Sequence, residues 1–223
     1  MSTVPQLADV TRTRFERLPH WLFASYAFFW LLLAIDPPYR ADWAIENVVS
    51  ILWVSLFVGT YRRFRFTDAS YILIWAFLMV HAVGAHYTYG QVPLGYWLKD
   101  AFHLARNPFD RIGHFAFGFL GAYPFREALI RLVGVRGFWA YYLPLDVVLA
   151  MSAFYELLEA WAAQLFSPAM NDSILGLQGD FWDAQWDMTA SFAGAIIALF
   201  LTWLIERRAR KGDPVPSKRV AQR

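Results

Sequence analysis

Three carboxylates stand at helical steps in the stretch GDFWDAQWDM: Asp180, Asp183 and Asp187. The same spacing recurs twice, since Asp110 precedes His114 by four residues and Glu156 precedes Glu159 by three. On a helix each such pair projects from one side, so the pairs can converge. Hard carboxylate oxygens with an imidazole suit a divalent cation, and a histidine or carboxylate beside it can serve as a general base on a lipid-linked phosphate or ester. The same groups can relay protons or bind a cationic substrate, or they can pair with one another to fix packing. Thiol catalysis and thiolate metal sites are excluded, because the chain has no cysteine. The sequence also lacks an H-E-x-x-H or G-x-S-x-G signature and a phosphate-binding glycine loop, which weighs against hydrolysis.

The elements that must position these residues are membrane helices. Of 223 residues, 58% are hydrophobic, 19% aromatic and only 17% charged, too oily for a water-soluble domain. Apolar runs of about 18 to 25 residues can cross a hydrocarbon core about 30 Å thick as helices, which satisfy their own backbone. Six such runs predict an all-α bundle with spans at about 19–35, 44–61, 69–89, 112–132, 138–165 and 186–206. The chain then divides into an N-terminal segment (1–18), a transmembrane domain (19–206) and a basic tail (207–223). The first span is expected to stay as an anchor, because Asp36, Pro37 and Pro38 follow it without a small-residue cleavage pattern.

Charge gives the orientation. Of the 20 basic residues, only Arg40, Lys99, Arg106 and Arg111 fall on one side of this frame. The positive-inside rule therefore predicts both termini in the cytoplasm of a bacterial cell, an N-in/C-in topology in the inner membrane. Tryptophans near both ends of the spans fit two aromatic belts. The net charge of +2 hides this asymmetry, and the composition argues against nucleic acid as a partner. The expected partners are the lipid bilayer and a lipid or small-molecule ligand, with a homodimer as the way six spans would suffice for transport. The outer segment 90–110 has apolar residues at helical spacing around Lys99, Asp100, His103 and Arg106, which predicts an interfacial helix, either a cover or a gate.

In this frame Glu46, His86, His114, Glu156, Glu159, Asp183 and Asp187 all fall in the outer half of the bundle. Asp146 falls near the inner side, where Arg126 or Arg131 could pair with it. Intramembrane ionisable groups are costly and by default face a cavity or a partner. His81 and His86 lie about 140° apart on a helix, so both cannot enter one narrow site. His86 is expected at the site, with His81 as a buried hydrogen-bonded histidine. Below Asp187 the stripe continues through Ala190, Ser191, Gly194 and Ala198, a small-residue face that lets helices approach closely and turns the carboxylates inward. Candidate ligand or metal residues are thus His114, Glu156, Glu159, Asp183 and Asp187, supported by His86, Asp110, Arg111, Glu46 and Asp180.

The segments DRIGHFAFGFLGAYPFREALIR, FYELLEAWAAQLF and GDFWDAQWDMTASFAGA resemble the YjdF-type family of bacterial inner-membrane proteins, over nearly all the spans. That resemblance implies a topology and a location, not an activity. A more distant likeness is to VanZ-like proteins, associated with resistance to glycopeptide antibiotics. Asp110, Arg111 and His114 match the first part of their pattern, and Glu156 matches its glutamate. Glu159 stands where glutamine is expected, and Ser191 replaces asparagine between Asp187 and Gly194. Both departures change what the pocket can donate, and the first makes it more acidic.

Overall fold

A computed structural model describes residues 17–165 and 178–212. The basic residues expected at the termini, Arg12, Arg14 and those beyond 212, lie outside the described residues. Among the described residues there are seven α-helices and no strand: α1 (Leu18–Leu33), α2 (Arg40–Thr60), α3 (Asp68–Tyr87), α4 (Pro93–Ala101), α5 (Phe109–Ala128), α6 (Trp139–Leu165) and α7 (Asp183–Gly212). A 3₁₀ turn at Tyr89–Gln91 links α3 to α4, and a π turn at Leu129–Val133 ends α5.

Three helices, Arg40–Thr60, Asp68–Tyr87 and Asp183–Ala209, are long and apolar enough to cross a membrane. Two others that were expected to span are less apolar for a visible reason. Helix α5 carries Asp110, Arg111, Arg126 and Glu127, and α6 carries Asp146, Glu156 and Glu159. Apart from the exposed Asp146, their polar residues turn into the bundle, while the exterior is greasy, with Leu31, Leu52, Leu56, Leu157, Ile197 and Phe200 all exposed. That inversion is the surface expected of a chain solvated by lipid.

Helix α7 packs along α5, and this pair is the spine of the bundle; α3 and α6 flank it, and α1 covers α3. Small residues set the spacing. A Cβ at Gly118 would overlap the carbonyl of Ser191, and one at Gly194 would overlap the backbone at Phe115 and Phe119. Backbones meet without intervening side chains, so dispersion contacts and close packing replace the hydrophobic drive that lipid does not supply. Next to this seam Ala122, Val148, Ala195, Ala198 and Leu199 form one buried cluster, and Tyr26, Leu78 and Ala82 form a second between α1 and α3.

At the end of the bundle away from the acidic stretch, ion pairs tie the helices. Arg126 Nη1 lies 2.9 Å from Glu206 Oε1, which also brings Tyr141 into the bond set through Glu206 Oε2 at 2.6 Å. Glu127 accepts from the Thr67 backbone N–H at 2.8 Å, from the Thr67 hydroxyl at 2.7 Å and from Ser70 at 2.5 Å, and pairs with Arg131. Both arginines are thus engaged by glutamates rather than by Asp146, which is exposed. The reason is register: Glu206 and Glu127 sit in the last turns beside those arginines, whereas Asp146 points off α6 on another face.

Candidate functional site

The helix starts bring the carboxylates into register. Helix α7 begins at Asp183 and α5 at Phe109, each about three residues earlier than the apolar runs predict, so Asp183 and Asp110 are first-turn residues of their helices. Negative side chains there meet the positive end of the helix dipole. Along α7 the buried face reads Asp183, Asp187, Ser191, Gly194, Ala195 and Ala198, with Ala190 only half-buried beside it. Asp183 and Asp187 are each 2% exposed.

His114 is the hub. Its Nε2 lies 3.3 Å from Glu156 Oε1 and 3.8 Å from Asp110 Oδ1. Its Nδ1 lies 3.3 Å from Ser152 Oγ and 3.4 Å from Ser191 Oγ, and Ser191 donates to the His114 backbone carbonyl at 3.0 Å. The serines therefore orient the ring with Nε2 toward the carboxylates, an arrangement often found behind metal-ligating histidines. Ligand atoms of Asp110, His114 and Asp187 all fall within 4.8 Å of one another. Glu159, one turn beyond Glu156, is its hydrogen-bonding neighbour. Glu46 reaches the same region from α2 and accepts from Tyr155 at 2.5 Å.

Two arginines close the top. Arg106 forms a buried ion pair with Asp183 and stands 4.0 Å from Asp180; Arg111 Nη2 bonds Asp180 Oδ2 at 2.6 Å and lies 3.8 Å from Asp183. Asp180 caps its own turn by accepting from the Trp182 backbone N–H at 2.9 Å. That bond first, and the Arg111 guanidinium second, hold its carboxyl below the ordinary aspartate value. The two arginines neutralise Asp180 and Asp183; Asp110 and Glu156 have only the His114 imidazole within 4.0 Å, and Asp187, Glu159 and Glu46 have no ion-pair partner at that distance among the described residues. Glu156 Oε1 and Asp187 Oδ1 are buried and have no hydrogen-bond partner among the described residues.

The histidines of α3 fall differently from the sequence-based choice. His86 donates from Nδ1 to the Leu33 carbonyl at 2.6 Å and so faces α1. His81 is buried, bonds the Tyr89 hydroxyl and lines an apolar cavity that it shares with His114, Ser152 and Tyr155. The direction of α3 was set by its neighbours: Leu78 and Ala82 pack toward α1 while Phe77 and His81 turn to α5. Sequence reasoning also passed over Asn107. It is fully buried, and it ties the segment around α4 to the bundle by donating to the Val92 carbonyl and accepting from the Phe109 N–H. Gln178 bonds the Asn107 backbone at both ends. Asn before Pro with a glycine twelve residues earlier was the available signal, since Gly95 leaves room for the Asn107 side chain.

Comparison with known proteins agrees with a place in the membrane. Inner membrane protein YjdF of Escherichia coli (strain K12) is 39% identical over 174 residues, covering 77% of this chain and 83% of that protein. No solved structure matches the chain. A family model described as "Predicted membrane protein (DUF2238)" matches residues 18–208, from the first turn of α1 to the last turns of α7, and the chain belongs to that family.

Proposed function

We propose that this inner-membrane protein binds a divalent cation between Asp110, His114 and Asp187, with Glu156 at the edge of the site, on the periplasmic side of a six-span bundle with both termini in the cytoplasm. The observation that carries the reading is Asp187: a carboxylate 2% exposed whose Oδ1 has no hydrogen-bond partner among the described residues, close to a histidine and a second aspartate. An unpaired buried charge costs several kcal/mol, and a bound cation removes that cost. Ligands facing each other across an octahedral ion stand about 4.2 Å apart, so a spread of 4.8 Å needs only a small closure. Oxygen donors with one imidazole favour Mn²⁺, Mg²⁺ or Zn²⁺ over soft metals.

The test is Mn²⁺ binding by electron paramagnetic resonance on protein purified without chelator-resistant metal. The parent should bind about one Mn²⁺ per chain, and Asp187→Asn and His114→Ala should each weaken binding by at least roughly the 10- to 100-fold that loss of a partner behind a ligand already produces. Binding unchanged in both variants refutes the site. The structural alternative, a network without a ligand, is favoured only at the top of the bundle, where Arg106 and Arg111 already satisfy Asp183 and Asp180.

A further inference from the structure

A cavity of about 620 Å³ adjoins the cation site and is lined almost wholly by apolar atoms. It runs along α5 from His114 past Gly121 to Ala128, about 21 Å at the helical rise, with α2 standing across it at Trp53 and Phe57. Its polar side chains gather at one end, where His81, Tyr89, His114, Ser152 and Tyr155 meet; of the two others, both on α2, Ser50 lies partway along, and Thr60, at the far end, donates its hydroxyl to the Leu56 carbonyl of its own helix at 2.7 Å. The volume is within the range of ligand pockets, and the shape is that of an amphiphile: a narrow apolar body with one polar tip. Helix α2 is held over it at few points, among them the Tyr155–Glu46 bond and the contact of Trp53 with Phe125.

The charge balance selects the head. Asp110, Asp187 and Glu156 already exceed the charge of one divalent ion, and Glu46 and Glu159 stand beside them, while Arg106 and Arg111 are engaged by Asp183 and Asp180. A phosphate or carboxylate head would add like charge to this surplus, which costs several kcal/mol at an interface. An uncharged oxygen can occupy a coordination position left open by three protein ligands without that cost. We propose that the cavity takes the hydrocarbon chain of an amphiphile with a neutral oxygen head, an alcohol or ester, whose oxygen lies at the cation beside His114. This rests on the cation reading for the head and on the cavity alone for the tail.

The experiment uses the full chain in amphipol with dodecanol labelled with ¹³C at C1 or at the terminal methyl, and Mn²⁺ as the paramagnetic ion. Bound Mn²⁺ should broaden the C1 resonance and leave the methyl sharp, and dodecyl phosphate should bind at least roughly tenfold more weakly. Gly121→Leu should retain Mn²⁺ and lose the C1 broadening, since Gly121 lines the cavity and a Cβ there first meets the rings of Phe125 and Phe117. Ala128→Phe, deeper along the same wall, should do the same if Gly121→Leu misfolds. Mn²⁺ binding without selective C1 broadening overturns the inference and leaves the cation reading in place, as does broadening that survives both filled cavities. Dodecanol that binds while Mn²⁺ does not overturns the cation reading and the head assignment with it.

Discussion

Two neighbouring aspartates on one face of α7 should respond oppositely to the same substitution. Asp183 is ion-paired with Arg106, both nearly buried, so Asp183→Asn takes the nearest carboxylate from a buried guanidinium. Breaking a buried pair from one side costs about 3–5 kcal/mol, or about 6–20 °C in melting temperature for a chain of this size. Asp187, equally buried, has no cation at ion-pair distance among the described residues and lies near Asp110 and Glu156. Asp187→Asn relieves crowding in the cation-free protein and should leave the melting temperature unchanged or raise it. Adding Mn²⁺ should then separate them again. At a hundredfold excess over its dissociation constant the parent gains about 2.7 kcal/mol, and Asp187→Asn, binding about 10- to 100-fold more weakly, gains only about 0.4–1.4 kcal/mol. The assay is thermal unfolding of detergent-solubilised protein with and without Mn²⁺. An Asp187→Asn protein that melts well below the parent, in metal-free buffer, would refute the binding argument and make the cluster a packing device.

Three further outcomes are expected. The Arg111–Asp180 bond should matter little at neutral pH for such an accessible pair. Because the folded carboxyl of Asp180 is held below its unfolded value, its contribution is complete above the unfolded pKa of about 3.9 and is lost as pH falls through the folded one; the melting difference between parent and Asp180→Asn should vanish on that acid side, and a difference that grows there contradicts the assignment. Gly118→Ala forces a methyl into the Ser191 carbonyl and should destabilise by about 1–3 kcal/mol or more, read as a lowered melting temperature; a neutral effect would mean that α5 and α7 do not touch at this seam. Reporter fusions at Gly90 and Gly134 should report opposite sides of the membrane, and two cytoplasmic signals would rule out the proposed N-in/C-in topology.

Much of the site was legible because helical spacing is a strong constraint. Asp183, Asp187, Ser191, Gly194 and Ala198 fall on one buried face, as the small-residue stripe required. Asp110 and His114 likewise share a face of α5 because they are four apart. What spacing alone leaves open is which neighbour a face meets. The 140° between His81 and His86 separates them without saying which turns to α5, and that depends on α1 packing against Leu78 and Ala82. The interfacial helix read from helical spacing around Lys99, Asp100, His103 and Arg106 ends at Ala101, so Arg106 and Asn107 lie in the connection after it, and their burial comes from contacts with Asp183 and Val92 that are distant in sequence. The cavity is further from the sequence still, since it exists because α2 stands away from α5, and an unfilled space has no residue of its own.

The seam at Gly118 and Gly194 also divides the molecule into a part that cannot turn and a part that can. Because the backbones of α5 and α7 are in contact, rotation of either about its axis would drive a side chain into the other's carbonyls. The backbones that carry Asp110, His114 and Asp187 therefore keep their mutual positions, and closure around an ion falls to the side chains. Movement that admits a long molecule to the cavity must come from α2, where parting Tyr155 from Glu46 frees the flank nearest the carboxylates. The entrance would then open sideways into the lipid, so a hydrocarbon chain could pass from bilayer to cavity without crossing water.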